Sequence, residues 1–536
     1  MSHRSRCMFS FWQLVLLFLR VLLLTGGSNG EFYSSVDTMQ ALAYVEKEIL
    51  DATHVYVKAQ EEQLNLYRNF VAQVKREHAM AIDEMQLEEY VGHPLHAFRL
   101  LKRMVTDWNG LHELMVNNQA REDYHQKIDQ VAKDFGYPDN TDIQGAVKAF
   151  NRLQEVYNLT ANHLADGIIN GKLTETELEW RECFEIGVQL FDLKQYERSL
   201  EWFKVAFRIL VTSSRKVLNR RKFEFELMEY MAIANFELGN AKSAGILLDQ
   251  ILKVEPTHSA QQTRKYLLHR EMLSTKKVEV ASDPTWHANY TRLCQGHRLP
   301  EPFTGKSLHC YLDAKRHVSF ILAPLKVEQV HVDPDINVYH GVLNDAQIEK
   351  ILQESDQNEM MRSAVSGDKG SATIADLRVS QQTWLNYSSP IMRSLSNLIS
   401  DISGFDMAGA EQMQVANYGV GGQYEPHPDY FEVNLPQEFK GDRISTSMFY
   451  LSDVELGGNT VFIKLNVFLP PIKGAMVMWH NLHYSLDVDR RTIHAGCPVL
   501  IGSKRIGNVW MHSGYQEFRR PCLLTCDEEK SSGYRD

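Results

Sequence analysis

The sequence predicts a multidomain α + β protein: an N-terminal helical or coiled-coil domain, a second helical domain of tetratricopeptide type, and a C-terminal sheet-rich domain closed as a barrel or double-sheet roll. Three observations predict it. Residues 36–90 contain almost no Gly or Pro and carry apolar residues at steps of three and four. Residues 177–272 hold a weak internal repeat of small and aromatic residues. From residue 327 onward, short alternating apolar runs separated by Gly, Pro, Asn and Asp replace the helical periods. With 536 residues, 44% of them apolar and 23% charged, the chain has material for several cores and is not a disordered chain. Its 57 basic and 68 acidic residues give a net charge of −11, which argues against a nucleic-acid binder tracking phosphates.

The elements follow in order. Residues 1–30 place His3, Arg4 and Arg6 before an apolar stretch and end Thr25-Gly-Gly-Ser-Asn-Gly, the layout of a secretory signal peptide cleaved near Glu31. An uncleaved anchor is the competing reading, against which Arg20 interrupts the stretch. No later stretch has about 18 uninterrupted apolar residues, so no membrane span is expected after cleavage. The domain over 31–145 begins with the stripe Leu42, Val45, Ile49, Ala52, Tyr56, Ala59, resuming after a phase slip at Leu64, Tyr67, Val71, Val74. The stripe suits self-association or packing within its own domain equally well. Gly92-His-Pro94 breaks the helix, and a second periodic segment runs over 97–114. Residues 136–176 mix Pro, Asn, Asp and Gly with a short helical stretch, and 146–176 reads as a connector with some structure.

Within 177–272, Gly187, Phe191, Tyr196 and Trp202 are echoed by Ala234, Gly239, Ala244 and Ile251, closed by Pro256. Small residues admitting bulky ones from the next helix are how stacked helix pairs pack, and such stacks present a peptide-binding face. A plain helical bundle is the alternative. A linker over 273–326 precedes the sheet domain, 327–536, in which 345–355 and 390–402 read as helices. Residues 414–418, 444–451, 460–463, 475–479 and 504–512 read as strands.

The chemistry concentrates in Tyr424-Glu-Pro-His427-Pro-Asp429. On an extended strand His427 and Asp429 share a face, giving two legs of a metal site, with His494 available as a third. Two histidines and one carboxylate leave open positions on iron(II), unlike the four protein ligands of a structural zinc site. Lys504 heads a strand on which 504, 506, 508, 510 and 512 share a face. A lysine turned into a barrel needs an anionic partner, and a co-substrate carboxylate would supply one.

Tyr424-Glu-Pro-His427-x-Asp429, Gly457-Gly-Asn-Thr460-Val-Phe462, His494-Ala-x-Cys-Pro-Val-Leu-x-Gly-x-Lys504 and Phe518-Arg-Arg-Pro-Cys522 together resemble the animal collagen prolyl 4-hydroxylase alpha subunits of the endoplasmic reticulum. Val91-Gly-His-Pro94 with Ala97-Phe98 extends the resemblance to the N-terminal domain. It implies a double-stranded beta-helix, or jelly roll, with His427, Asp429 and His494 on iron(II) and Lys504 on the far carboxylate of 2-oxoglutarate. Tyr424 and Thr460 would be co-substrate neighbours, and Trp510 and His512 would line the pocket. It further implies L-ascorbate as the rescuing reductant and hydroxylation at C4 of proline in Gly-x-Pro-type, procollagen-like peptides. The partner implied is protein disulfide isomerase in a heterotetramer within the endoplasmic-reticulum lumen.

The peptide groove of that family is tyrosine-rich; here Phe191, Tyr196, Tyr230 and Phe236 are its candidates, and phenylalanine keeps the stacking face but loses the hydroxyl. The resemblance pairs Cys294 with Cys310, as a loop in the linker, and Cys497 with Cys522; Cys183 would be a buried thiol and Cys526 is unassigned. Asn158, Asn289 and Asn386 head glycosylation triplets. Two further readings stand beside the enzyme: a non-catalytic subunit that binds proline-rich peptides, and a dioxygenase acting on lysine or a non-collagen protein.

Overall fold

A computed structural model describes residues 32–79, 87–214, 217–273, 286–298, 307–358, 360–366, 372–373, 376–431 and 441–524. The expected signal peptide and Cys526 lie outside them. The chain divides into two compact units, one of residues 37–137 and one of residues 138–536 together with the segment ahead of Asp37.

In the first unit the long periodic stretch forms helix Val36–Ala79. Part of its stripe faces later helices of the same unit: Val45 and Val74 are buried and Tyr56 meets Tyr124 at 5.3 Å, while Leu64 and Val71 stay exposed; beside the stripe Phe70 meets Trp108 edge-on at 5.0 Å. Gln60 and Asn118 exchange two side-chain hydrogen bonds. The break at Gly92-His-Pro94 separates helix Leu87–Gly92 from helix Pro94–Lys102, which Pro94 opens because its missing N–H is not needed there. The second periodic segment continues to Trp108–Val116, and helix Gln119–Phe135 follows under an Asn118 cap. No helix among the described residues is long and apolar enough to cross a membrane.

The second unit opens with a correction. Residues 146–176, expected as a connector, carry most of helix Asn140–Tyr157, started by an Asp139–Asp142 capping box, and then helix Ala161–Ala165. The helix is no linker because Val147, Leu153 and Val156 are buried. Helices Trp180–Asp192, Tyr196–Thr212, Arg220–Glu237 and Ala241–Val254 then form the repeat. Its two turns match: Lys194 and Gly239 hold φ of 62° and 82°, and the next N–H in each, of Gln195 and Asn240, returns to Leu190 O and Asn235 O. Gly187 admits the fully buried Phe203, whose ring would lie 2.6 Å from a Cβ there. Leu500 of the sheet domain belongs to this same helical core.

Thirteen strands build the two main sheets: β1 Cys310–Asp313, β2 Leu325–Val332, β3 Asp335–His340, β4 Met361–Arg362, β5 Gln381–Leu385, β6 Met413–Tyr418, β7 Tyr424–His427, β8 Arg443–Tyr450, β9 Thr460–Phe462, β10 Val467–Leu469, β11 Met476–His480, β12 His494–Gly496 and β13 Lys504–His512. The large sheet runs β1-β2-β3-β11-β8-β13-β6-β5-β4 and the small one β7-β12-β9-β10. Alternation decides the faces. Ile336, Val338, Tyr418, Tyr450 and Trp479 enter one core, while Tyr339, Val415, Phe449 and Met478 enter another with helices Asp345–Gln357 and Pro390–Ser403. The expected linker 273–326 is also corrected. Helix His287–Cys294 buries Tyr290, Leu293 and Cys294, and β1 pairs with β2 at the sheet edge.

The cysteine pairing differs from expectation. Cys294 is bonded to Cys497, with 5.5 Å between Cα atoms, and Cys310 and Cys522 are exposed thiols. Neither the Cys294–Cys310 nor the Cys497–Cys522 pair forms, because packing of helix His287–Cys294 on the small sheet brings Cys294 and Cys497 into one core with Val461 and Ala495. Cys183 is a buried free thiol.

Candidate metal centre and co-substrate pocket

Strand β7 pairs with β12 so that His427 stands directly across from His494. Asp429 follows two residues later, where its Oδ1 lies 3.9 Å from His427 Nε2 and its Oδ2 lies 3.7 Å from His494 Nε2. The three side chains each offer a ligand atom, all within 4.8 Å of one another. Both imidazoles are pre-oriented. Nδ1 of His427 meets Glu425 O at 2.7 Å and Nδ1 of His494 meets Thr492 O at 3.1 Å. A carbonyl only accepts, so Nδ1 carries the proton in each ring and the Nε2 lone pair is left toward the shared space.

Burial, reinforced by the neighbouring His494, pushes His427 down to about 3, which keeps the ring neutral and able to bind a metal. Burial alone would raise the Asp429 carboxyl. His494, His427, Arg443 and the Thr446 hydroxyl together hold it below its ordinary value. Thr446 Oγ1 donates to Asp429 Oδ2 at 2.7 Å, since a carboxylate only accepts, and itself accepts from Asn481 Nδ2 at 3.0 Å. The Tyr424 ring stacks on His427 with centroids 3.4 Å apart, and burial raises its phenol to about 12. Two imidazole nitrogens and a carboxylate oxygen in a buried, neutral-histidine setting fit iron(II) with positions left open.

These groups wall a cavity of ≈ 480 Å³ that also takes in Tyr424, Thr460, Lys504 and Trp510. Lys504 is 3% exposed, and burial pushes its ammonium down to about 7. Its Nζ donates to Thr460 Oγ1 at 3.2 Å, which Tyr450 OH also contacts at 3.0 Å. No carboxylate within the described residues shifts it, so the charge is arranged for an anion from outside. Ile506, Asn508 and Trp510 line the cavity as the strand alternation predicts. His512, expected there too, does not line it: its ring bonds Glu411 Oε1 and Gly441 O, both at 2.9 Å, behind the wall. A cavity of comparable size, ≈ 410 Å³, beside Arg316, Asn337 and Arg520, holds none of the three metal-type donors.

Sequence reasoning missed Glu411 and Arg443. Arg443 forks onto Glu411, with Nη2 to Oε2 at 2.9 Å, lies 4.0 Å over the Trp510 ring, and donates to Asp429 O at 3.3 Å. The available signal was the polar run Arg443-Ile-Ser-Thr-Ser at the head of an otherwise apolar strand. Trp384, 6.1 Å from Trp510, was missed as well. In the helical repeat, Phe191 meets Tyr196 at 5.3 Å and Tyr230 at 5.4 Å, a half-buried cluster. Phe236 lies under Arg270 instead. Of the three triplets, Asn158 and Asn386 are exposed, whereas the Asn289 amide is half-buried, donating to Ile463 O and accepting from Arg292.

The profile of the 2OG-Fe(II) oxygenase superfamily matches residues 413–512, the stretch that supplies every metal-type donor and Lys504. The fold and site therefore define a dioxygenase dependent on iron(II) and 2-oxoglutarate, a class in which ascorbate is a typical companion. The profile of the prolyl 4-hydroxylase alpha-subunit N-terminal region matches residues 35–171. Prolyl 4-hydroxylase subunit alpha-1 of Homo sapiens is 32% identical over 95% of this chain and 99% of its own length, and subunit alpha-2 of Caenorhabditis elegans is 32% identical over 94% and 96%. The chain belongs to the prolyl 4-hydroxylase alpha-subunit family. A viral collagen prolyl hydroxylase from Paramecium bursaria Chlorella virus-1, solved as a 2OG complex, is 23% identical over 33% of this chain and 94% of its own, with a TM-score of 0.27.

Proposed function

We propose that the chain is the catalytic subunit of a procollagen-proline 4-dioxygenase, hydroxylating C4 of proline in Gly-x-Pro-type peptides. The observation that carries this reading is the co-location in one cavity of His427, Asp429 and His494 with a buried ammonium, Lys504, that has no carboxylate partner among the described residues. Iron(II), with 2-oxoglutarate and oxygen, supplies the oxidising power, and 2-oxoglutarate leaves as succinate and carbon dioxide. His427, Asp429 and His494 would hold the ion. Their orientation is prepaid by the Glu425 and Thr492 carbonyls and by Thr446, so no ligand must reorganise on loading. Lys504 and Thr460 grip the far carboxylate of the co-substrate, which restores to the lysine the counter-charge that burial denies it. Trp510, steadied by Arg443, and Trp384 give aromatic faces at the cavity on which a proline ring can rest.

The repeat helices read as tetratricopeptide-like, supported by their matched turns and the Gly187–Phe203 fit, and the two sheets read as a jelly roll. The Phe191, Tyr196 and Tyr230 cluster is the proposed groove for proline-rich chains. The endoplasmic-reticulum lumen is the proposed location, with the expected signal peptide giving secretory entry, and protein disulfide isomerase is the proposed partner. Exposed Leu95, Phe98, Leu101 and Met104 in the first unit, with Leu64 and Val71 of the long helix, support self-association there. Glycans are proposed at Asn158 and Asn386.

The test is turnover of Pro-Pro-Gly repeat peptides by the chain co-expressed with the isomerase, with iron(II), 2-oxoglutarate and ascorbate. Peptide-dependent succinate release is expected. Release stimulated only by lysine-bearing or non-collagen peptides would move the substrate assignment, and none with any peptide would favour a binding subunit.

A further inference from the structure

The turn between β6 and β7, Gly419-Val-Gly421-Gly422, carries the chain into the first metal-type ligand, and its three glycines have no role in the chemistry above. It is clamped by chain from far upstream. Gly419 N–H donates to Ser34 O at 3.2 Å, Gln381 Nε2 to Ser34 Oγ at 3.2 Å and Asn417 Nδ2 to Ser35 Oγ at 3.1 Å. Ser34 and Ser35 are each 1% exposed. A Cβ on Gly419 would approach the backbone of Ser34 and Ser35 to 3.1 Å. Just ahead, the Tyr33 ring lies 2.1 Å from where a Cβ on Gly145 would sit, and Phe32 N–H donates to Asp142 Oδ1 at 2.6 Å, which fastens the segment to helix Asn140–Tyr157. That helix closes the other side: Arg152 Nε donates to Gly421 O at 3.0 Å, and a Cβ on Gly421, at φ 70°, would sit 2.4 Å from Ala149 Cβ.

The clamped turn adjoins the segments that carry His427, His494 and Lys504. Gly421 N–H donates to Val499 O and Val499 N–H to Gly422 O, just beyond β12 with His494. Tyr418, the residue before the turn, pairs with Lys504. Val379 N–H takes Gln423 O at the entry to β7.

We propose that residues 32–35 are a strap of the oxygenase domain, and that Ser34 and Ser35 are positioning residues that set the 419–422 turn and, through it, the spacing of His427 and His494. The inference rests on the metal reading above. It links the first described residues to a site more than 380 residues away, so the sheet domain, which holds all three donors, would have their spacing set from outside it.

The experiment uses the full chain co-expressed with the isomerase, stripped of metal, and reads cobalt(II) binding by its visible ligand-field spectrum alongside amide exchange of residues 414–427. In Ser34→Ala/Ser35→Ala the loss of two buried side-chain bonds is expected to weaken cobalt(II) about tenfold and to speed exchange in that segment, with the thermal transition still cooperative. Gly419→Val, which pushes the strap off from the other side, should give the same two changes, and Ser34→Thr/Ser35→Thr should restore both toward wild type. Wild-type cobalt(II) affinity and exchange in the double-alanine variant would overturn the strap. So would a loss of affinity that only parallels a uniform rise in exchange over the whole second unit, which makes the segment a general stabiliser. If the wild-type chain itself binds no cobalt(II), it is the metal reading that fails, separately.

Discussion

His427 and His494 owe their readiness to two carbonyl oxygens and not to each other, since each spends its Nδ1 proton on the backbone and leaves Nε2 toward Asp429. Removing the carboxylate should therefore take away the third ligand without disturbing the rings. Asp429→Ala is expected to abolish turnover and metal retention while a cooperative melt persists, and measurable turnover would reject the assignment. Lys504 tests the pocket by its pH behaviour. Its folded value of about 7 lies below the ordinary lysine value of 10.5, so the unfolded chain binds the extra proton between those limits. Stability of the ligand-free chain should rise with pH across that window, and below pH 7 the penalty is fully present. Lys504→Met should then stabilise the ligand-free chain by on the order of 1–3 kcal/mol at neutral pH, an advantage that fades toward pH 10.5, while raising the 2-oxoglutarate requirement. Melting curves against pH and a co-substrate titration read both effects. The sequence showed His427 and Asp429 as a pair spaced by one residue and Lys504 by the parity of its own strand, although β7 ends at His427 and Asp429 lies in the bend beyond it. It hid Glu411 and Arg443, which meet only when β13 lies between β6 and β8, and it misled for His512, whose parity is right but whose ring is drawn back by Glu411.

At the scale of elements, periodicity recovered what depends on local pattern: the long helix, its break at Gly92-His-Pro94, both helices over the large sheet and the strands around the site. What it missed depends on distant packing. Helix Asn140–Tyr157 and helix His287–Cys294 are buried by tertiary partners, the first by Trp202 and its neighbours in the repeat and both by each other and the distant small sheet around Val461 and Ala495. The Cys294–Cys497 bond has the same origin, across 203 residues of chain. Cys294→Ser/Cys497→Ser should cost about 2–4 kcal/mol, read as a lowered melting temperature in non-reducing buffer. Unchanged melting would contradict a stabilising bond at these cysteines, and protection of Cys310 and Cys522 from alkylation in the wild type would restore the pairing that the resemblance implied. The matched repeat turns give an opposite prediction. Lys194 stands at φ 62° where its counterpart is glycine, so Lys194→Gly should stabilise the helices by up to about 1 kcal/mol, whereas Gly239→Lys should destabilise them.

On the scale of the whole molecule, the repeat helices and the sheet domain are one compact unit: Leu500 packs in the helical core and Tyr157 OH donates to Pro498 O, next to Cys497. The helices proposed for peptide capture and the oxygenase site, which composition alone would separate into independent domains, share one framework. If the aromatic cluster holds substrate, Tyr230→Ala should raise KM for long proline-rich peptides about tenfold, the worth of one or two stacking contacts, with kcat and short-peptide KM unchanged. Equal KM for long substrates in the variant would move the groove elsewhere. The central claim is that the cavity couples 2-oxoglutarate decarboxylation to C4 hydroxylation of a peptidyl proline. The direct measurement is product analysis on Pro-Pro-Gly repeats, counting 4-hydroxyproline against succinate in the same reaction. The account predicts equal amounts of the two in the wild type and neither in Asp429→Ala; succinate without 4-hydroxyproline in the wild type, or 4-hydroxyproline formed by the variant, would contradict it.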